Sequence, residues 1–190
     1  MRRPSDPPTC PLDEIIVSPV PGTSRAGQSL EREALLRLSQ ALARQPDAAV
    51  QRLVESAMRL TGAGSAGVSL EDEEAGQPVF RWIAIAGELE RYRHGTMPRD
   101  FSPCGTVVDR GQALVMREPV RHFAYIRELH APVSTVLLVP FGRGGRFVGT
   151  VWVVAHTPEH QFSSEDLRVV QNLTTFATAL LDSAPVRGPA

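Results

Sequence analysis

Ser134-Thr-Val-Leu-Leu-Val-Pro-Phe141, then Gly142-Arg-Gly-Gly145, then Arg146-Phe-Val-Gly-Thr-Val-Trp-Val-Val-Ala-His156, is the stretch that decides the fold. Val, Leu, Thr, Phe and Trp favour a pleated, packed surface. Gly142, Gly144 and Gly145 permit the positive backbone angles of a tight hairpin. Both predicted strands are apolar on both faces, without clean alternation. That pattern suits a central hairpin covered on two sides, and the rest of the chain must supply two covering layers.

Working outward, Ser163 with Asp166 reads as a capping box that opens a long amphipathic helix through Leu167, Val170, Leu173, Phe176, Ala177 and Leu180. On the other side, Ser65 to Glu71 alternates Ala66, Val68 and Leu70 with Ser65, Gly67 and Ser69. The second set is small, so a large side chain is expected over that face. Val79 to Ala86 completes a second antiparallel hairpin across an acidic turn, Asp72 to Gly76. Two helices come earlier. The first has Ser29 as its cap, with Leu35, Leu38 and Leu42 on one face and Ala34, Leu36 and Ala41 widening it. The second restarts at Pro46 with Asp47 as its cap and carries Val50, Leu53, Val54, Ala57 and Met58 to the Gly62–Gly64 stop. Between the hairpins, residues 88–101 form a polar loop. Ser102, Pro103 and Gly111 bracket a short helix. Ala113 to Met116 reads as an edge strand, and Pro119 opens a further short helix.

The chain has 190 residues, 42% of them hydrophobic and 22% charged, with a net charge of −1 and no lysine. That is one domain plus tails, with no global charge to draw it to nucleic acid or to a membrane surface. Its apolar runs are strand-sized, well short of the roughly 20 residues that span a bilayer. Cys10 and Cys104 make no disulfide framework, so a reducing, cytoplasmic compartment is the simpler expectation. Residues 1–28, rich in proline, read as a flexible leader in which Ile15, Ile16 and Val17 form at most one short docked strand. Residues 29–183 read as the domain and 184–190 as a loose tail, so no transmitter module is expected after it.

Leu138-Val139-Pro140-Phe141, a glycine turn, Val148-Gly149-Thr150-Val151-Trp152, and then Phe162-Ser163-Ser164-Glu165-Asp166-Leu167 resemble the GAF domain family. Ser65-Ala66-Gly67-Val68-Ser69-Leu70, Arg99-Asp100-Phe101-Ser102-Pro103-Cys104-Gly105 and Trp152-Val153-Val154-Ala155-His156 resemble a bacterial branch found alone or beside histidine kinase and cyclic-di-GMP domains. The resemblance implies an α+β, GAF-like fold. It has a central, mostly antiparallel sheet of five to six strands, with the helices of both termini on one face. Short helices and loops cover a small-molecule pocket on the other. It also implies a sensor role, with a separate kinase or cyclic-nucleotide signalling protein as the downstream partner. The cofactor is unassigned.

Trp82, Phe101, Cys104, Phe123, Tyr125, Phe141, Trp152 and His156 fall on the elements that would line such a pocket, and Trp152 and His156 share strand parity. Pockets and cores share this composition, so each is equally read as plain packing. Cys104, in the first turn of a capped helix, has a physical case for a stabilised thiolate and hence for a redox switch or thiol-dependent enzyme. Most cysteines so placed are small, inert packing residues. Arg121, His122 and Arg127 make either an anion clamp or a solvated face. The histidines show no metal-ligand spacing, and no phosphate loop or nucleophile elbow is present, so no catalytic residue and no metal is expected. The family's free methionine sulfoxide reductases use several cysteines, whereas this domain has one, and its bilin-binding motifs do not appear here. The terminal helices carry more apolar surface than the roughly 100° arc one sheet face needs, which predicts a homodimer through residues 30–43 and 165–181.

Overall fold

The computed structural model describes residues 8–22 and 28–183. Seven antiparallel strands form one sheet: β1 (Ile16–Val17), β2 (Ser65–Glu74), β3 (Gln77–Gly87), β4 (Thr96–Pro98), β5 (Leu114–Arg117), β6 (Thr135–Arg143) and β7 (Arg146–Ala155), in the order β1-β5-β6-β7-β2-β3-β4. The helices are α1 (Leu12–Ile15), α2 (Gln28–Arg44), α3 (Pro46–Thr61), α4 (Pro103–Arg110) and α5 (Ser164–Ser183). The fold is therefore the α+β, GAF-like one expected from the sequence, with more strands than the five to six anticipated. The extra strands are β1 and β4, two and three residues long, which add to the sheet edges where no periodicity could reveal them.

The central hairpin β6–β7 turns through Gly144 and Gly145, at φ +59° and +83°, the paired positive angles of a type I′ connection. The β2–β3 hairpin is longer and tighter than its acidic turn suggested. Pairing runs to Glu74↔Gln77, and only Ala75 and Gly76 turn, both at positive φ. The acidic stretch stays extended because Arg81 on β3 reaches across to both Asp72 and Glu74.

Strand alternation sorts the core into two layers. Ala66, Val68 and Leu70, with Leu137, Val139, Val151 and Val153, face α3 and α5. Trp82, Val136, Leu138, Trp152 and Val154 face α4 and the segments that follow it. Ser163 and Asp166 exchange the capping-box bonds, and Asp166 Oδ2 accepts from the Ser163 backbone N–H at 2.8 Å. α3 begins with Pro46 at its first turn and Gln45 as its cap position, two residues before the expected cap Asp47. The side chains of Asp47, Leu42 and Leu180 lie outside the described residues. α2 starts at Gln28, one residue before the expected cap Ser29.

Two other expectations change. Within the leader, residues 8–22 are docked: Ile15 is fully buried, β1 pairs with β5, and Val20 bridges to Ser163. Apolar Ile15 supplies the anchor that the surrounding prolines obscured. The remaining leader residues, 1–7 and 23–27, and the tail lie outside the described residues. With β1 beside it, β5 is an inner strand, not an edge. Second, the sequence places Val169 with Phe176 and Leu180 beside the main apolar stripe of the last helix, as surplus surface, but Val169 is 1% exposed and packs in the core. On α2, Ala34, Leu38 and Ala41 face inward, while Leu30 and Leu36 are 56% and 58% exposed.

α2 and α5 are tied by a buried carboxylate. Glu31 is 5% exposed, its Oε1 accepting from Asn172 Nδ2 at 2.9 Å and its carboxylate from both terminal nitrogens of Arg168, which also pairs with Glu165. The Arg168 and Asn172 hydrogen bonds hold the Glu31 carboxyl below its ordinary value against the opposing effect of burial. A carboxyl so lowered contributes stability above its unfolded pKa and loses it as pH falls through the folded one. Glu31→Gln is expected to cost about 1–3 kcal/mol at pH 7. It should also flatten the fall in Tm between about pH 5 and pH 3, as followed by calorimetry across that range.

Candidate functional site

On the sheet face away from α2, α3 and α5, the small row of β2 meets the largest residue of β7. In the register Gly67↔Trp152, a Cβ at Gly67 would fall 2.1 Å from Trp152 Cζ2, so glycine is required where the indole lies across β2. This is the large side chain that the Ser65, Gly67, Ser69 set calls for. Trp152 Nε1–H then donates to Ser69 Oγ at 2.9 Å. Ser69 sits at the register shift in β2 and is fully buried.

The same hydroxyl anchors Cys104. Ser102 Oγ caps α4 by accepting from the Gly105 N–H at 3.0 Å, Pro103 occupies the first turn and Gly111 closes the helix at φ +64°. This sets Cys104 against the sheet, where its Sγ lies 3.6 Å from Ser69 Oγ and accepts from Thr150 Oγ1 at 3.2 Å. The thiol is 1% exposed. Burial pushes its pKa up, outweighing the hydrogen bonds from Thr150 and Ser69 that act to lower it. The helix start is thus opposed by burial: α4 presents the thiol to a dry interior.

Between this base and the cover formed by the 3₁₀ turn Ala124–Glu128 and residues 129–133 lies a cavity of about 50 Å³. Of the expected site residues, Trp82, Cys104, Tyr125 and Trp152 line it. Trp82 packs edge-on to Trp152, with ring centroids 6.4 Å apart. No side chain among the described lining residues carries a charge. Trp82 also packs edge-on to Tyr92, whose hydroxyl accepts from the His130 backbone N–H at 2.9 Å and so latches the 88–95 loop to the cover.

Phe101, Phe123 and His156 do not reach the cavity. Phe101 and Phe123 stack at 5.2 Å and back Tyr125 from outside, because the chain between the 3₁₀ turns folds Phe123 into the cover layer. His156 lies just past the end of β7, where strand parity stops applying. Its Nδ1 is 2.6 Å from the Pro132 carbonyl and its Nε2 2.8 Å from Ser65 Oγ, so it pins the cover to the start of β2. Phe141 belongs to the helical layer. Arg121 pairs with Glu14 and His122 Nδ1 approaches the Cys10 carbonyl, so with the exposed Arg127 they form surface structure and not an anion clamp. Ser69 and Thr150, the polar base of the site, were not singled out from the sequence, nor were Val136, Leu138 and Val154. The register Leu138↔Trp152 and the alternation from Trp152 carry the signal for the last two.

Among the described residues, buried Trp82 Nε1 and Tyr125 Oη have no hydrogen-bond partner. Burial, with a smaller effect from Cys104, raises the Tyr125 phenol well above its ordinary value, so it is a neutral donor. Among the described residues, no group of three or more His, Cys, Asp or Glu is placed to hold a metal ion. No described helix is long and apolar enough to cross a membrane.

A GAF domain family model matches residues 43–182. The search of curated proteins found no match. Among solved structures, the chain is similar to the GAF domain of an Acinetobacter phosphoenolpyruvate-protein phosphotransferase, at 17% identity and a TM-score of 0.70 over 85% of this chain and 98% of that one. The corresponding domain from Coxiella burnetii gives 13% identity and a TM-score of 0.68 over 83% and 96%. The Neisseria meningitidis free methionine-R-sulfoxide reductase, solved in complex with its substrate, gives 16% and 0.66 over 86% and 95%.

The buried, neutral Cys104 gives a direct expectation. In a Cys10→Ala background, titration of the remaining thiol should yield an apparent pKa above the unperturbed value of about 8.5, with labelling that accelerates only on unfolding. A lower value would restore the case for a reactive thiolate.

Proposed function

Because the chain belongs to the GAF domain family, whose members serve as sensor modules of signalling proteins, we propose that it is a cytoplasmic, non-enzymatic sensor. It binds a small molecule in the cavity between the sheet and the 88–133 segment and relays occupancy to its terminal helices. The observation that carries this reading is the cavity itself. It is walled by apolar and aromatic side chains, and burial pushes the pKa of its one thiol up. Such a site favours binding over bond-making.

The relay has a physical route. Val136 and Leu138 face the cavity, while their neighbours on β6, Leu137 and Val139, face the helical layer with Val170, Leu173 and Ala177 of α5. A ligand that shifts β6 therefore presses on α5, and through Arg168 and Glu31 on α2. The exposed Leu30 and Leu36 of α2 support self-association through that helix, in a homodimer whose packing a separate kinase or cyclic-nucleotide signalling protein would read.

The test has two arms. Native mass spectrometry of the purified protein is expected to show a dimer carrying a retained small molecule, with Leu36→Glu shifting it to monomer. Turnover of peroxide and of free methionine sulfoxide is expected to stay at background in wild type and in Cys104→Ser. Robust turnover lost in Cys104→Ser would overturn the sensor reading in favour of thiol chemistry.

A further inference from the structure

Residues 8–22 cross from one layer of the core to the other. Cys10 and Ile15 are buried, and with Leu12 and Ile16 they pack against the cavity-side cluster. Val17, one residue on, packs against the helical cluster. The polar contacts follow the same course. At one end, the Thr9 N–H and Oγ1–H donate to the Arg121 carbonyl, and His122 Nδ1 lies 2.9 Å from the Cys10 carbonyl. Asp13 and Glu14 pair there with Arg110 and Arg121. Arg110 ends α4, and the 3₁₀ turn Pro119–Arg121 leads into the cover at Phe123. At the other end, the Val20 N–H donates to the Phe162 carbonyl at 3.0 Å and the Ser164 N–H to the Val20 carbonyl at 2.9 Å, beside the capping box of α5. One segment thus ties the cover of the cavity to the first turn of a helix on the opposite face of the sheet.

The hold on this segment is narrow. Cys10 and Ile15 go deep, but β1 pairs with β5 through Ile16 and Val17 alone, and both ion pairs are open to solvent, a class that contributes little and is screened by salt. Segments held by few buried contacts open locally at far lower cost than the whole fold. Pro8, Pro11, Pro19 and Pro21 limit the conformations gained on leaving, which favours return as a unit. Without the segment, β5 keeps its pairing with β6 and becomes the sheet edge. We propose that residues 8–22 form a releasable strap: they leave the sheet edge together while residues 28–183 stay folded, and their release loosens the cover and the start of α5 at once. The device needs no ligand, so it stands apart from the reading of the cavity. It adds to β6 a second path between the cover and α5.

The two cysteines of the chain report on this directly, since Cys10 lies in the strap and Cys104 beneath the cover. Pulsed thiol labelling of the full chain, resolved by mass spectrometry, is expected to modify Cys10 well ahead of Cys104 under native conditions. Ile15→Ala removes the main anchor and should speed Cys10 labelling by at least about 30-fold. Hydrogen exchange in the same variant should rise together over residues 118–123 and 162–166, with β2 and β7 unchanged. Should Ile15→Ala loosen the whole domain, Asp13→Asn with Glu14→Gln decides, because it alters exposed groups only. That pair is expected to speed Cys10 labelling by about 2- to 5-fold without change in β2 or β7. Equal labelling rates at Cys10 and Cys104 in wild type would overturn the strap, because the segment would then open only with the fold. Faster exchange at one end without the other would overturn the coupling of cover to α5.

Discussion

The seating of the Trp152 indole across Gly67 is the contact on which the rest of the structure depends. It fixes the register of β2 against β7 at the centre of the sheet, because one residue of slip would drive a side chain into the ring. It also aims the indole N–H at Ser69, and Ser69 in turn holds the Cys104 thiol and with it the start of α4. The floor of the cavity is thus a chain of size and hydrogen-bond matches that begins with a missing side chain. Truncating a buried tryptophan typically costs about 3–5 kcal/mol. Here it would also release the helix that walls one side of the site.

The two faces of the sheet are built to different standards. The helical face is aliphatic, and its buried carboxylate Glu31 is partnered by Arg168 and Asn172. The cavity face carries aromatic residues, a void and two donors without protein partners. A dry site raises a thiol's pKa even at a helix start, and burial pushes Cys104 up in this way.

Much of this was legible in the sequence where local chemistry decides. Gly144–Gly145 marks the central turn, Ser102-Pro103 and Gly111 bracket α4, and Ser163 with Asp166 opens α5. The small row Ser65, Gly67, Ser69 announced a large neighbour, and Trp82, Cys104, Tyr125 and Trp152 all meet at the cavity. What failed to show was tertiary in origin. β4 is too short to display a period and exists only because β3 offers an edge, while β1 falls where the sequence allows a short docked strand at Ile15, Ile16 and Val17. Parity from Trp152 does not extend to His156 because β7 ends one residue earlier. Phe101 and Phe123 share their composition with pocket residues but pack behind one. Val169 is apolar beside the expected stripe, yet it is buried because the helix lies in a two-sided groove of β6 and α3. No sequence pattern distinguishes the partnered indole of Trp152 from the unpartnered one of Trp82.

That last distinction is also the most direct test. The chain has two tryptophans, so a ¹H–¹⁵N spectrum of the indole-labelled protein contains two side-chain N–H signals, assignable with Trp82→Phe. Purified free of small molecules, the protein should show Trp152 Nε1–H at a hydrogen-bonded shift and Trp82 Nε1–H upfield of it. A Trp82 signal already at a hydrogen-bonded shift would contradict the account.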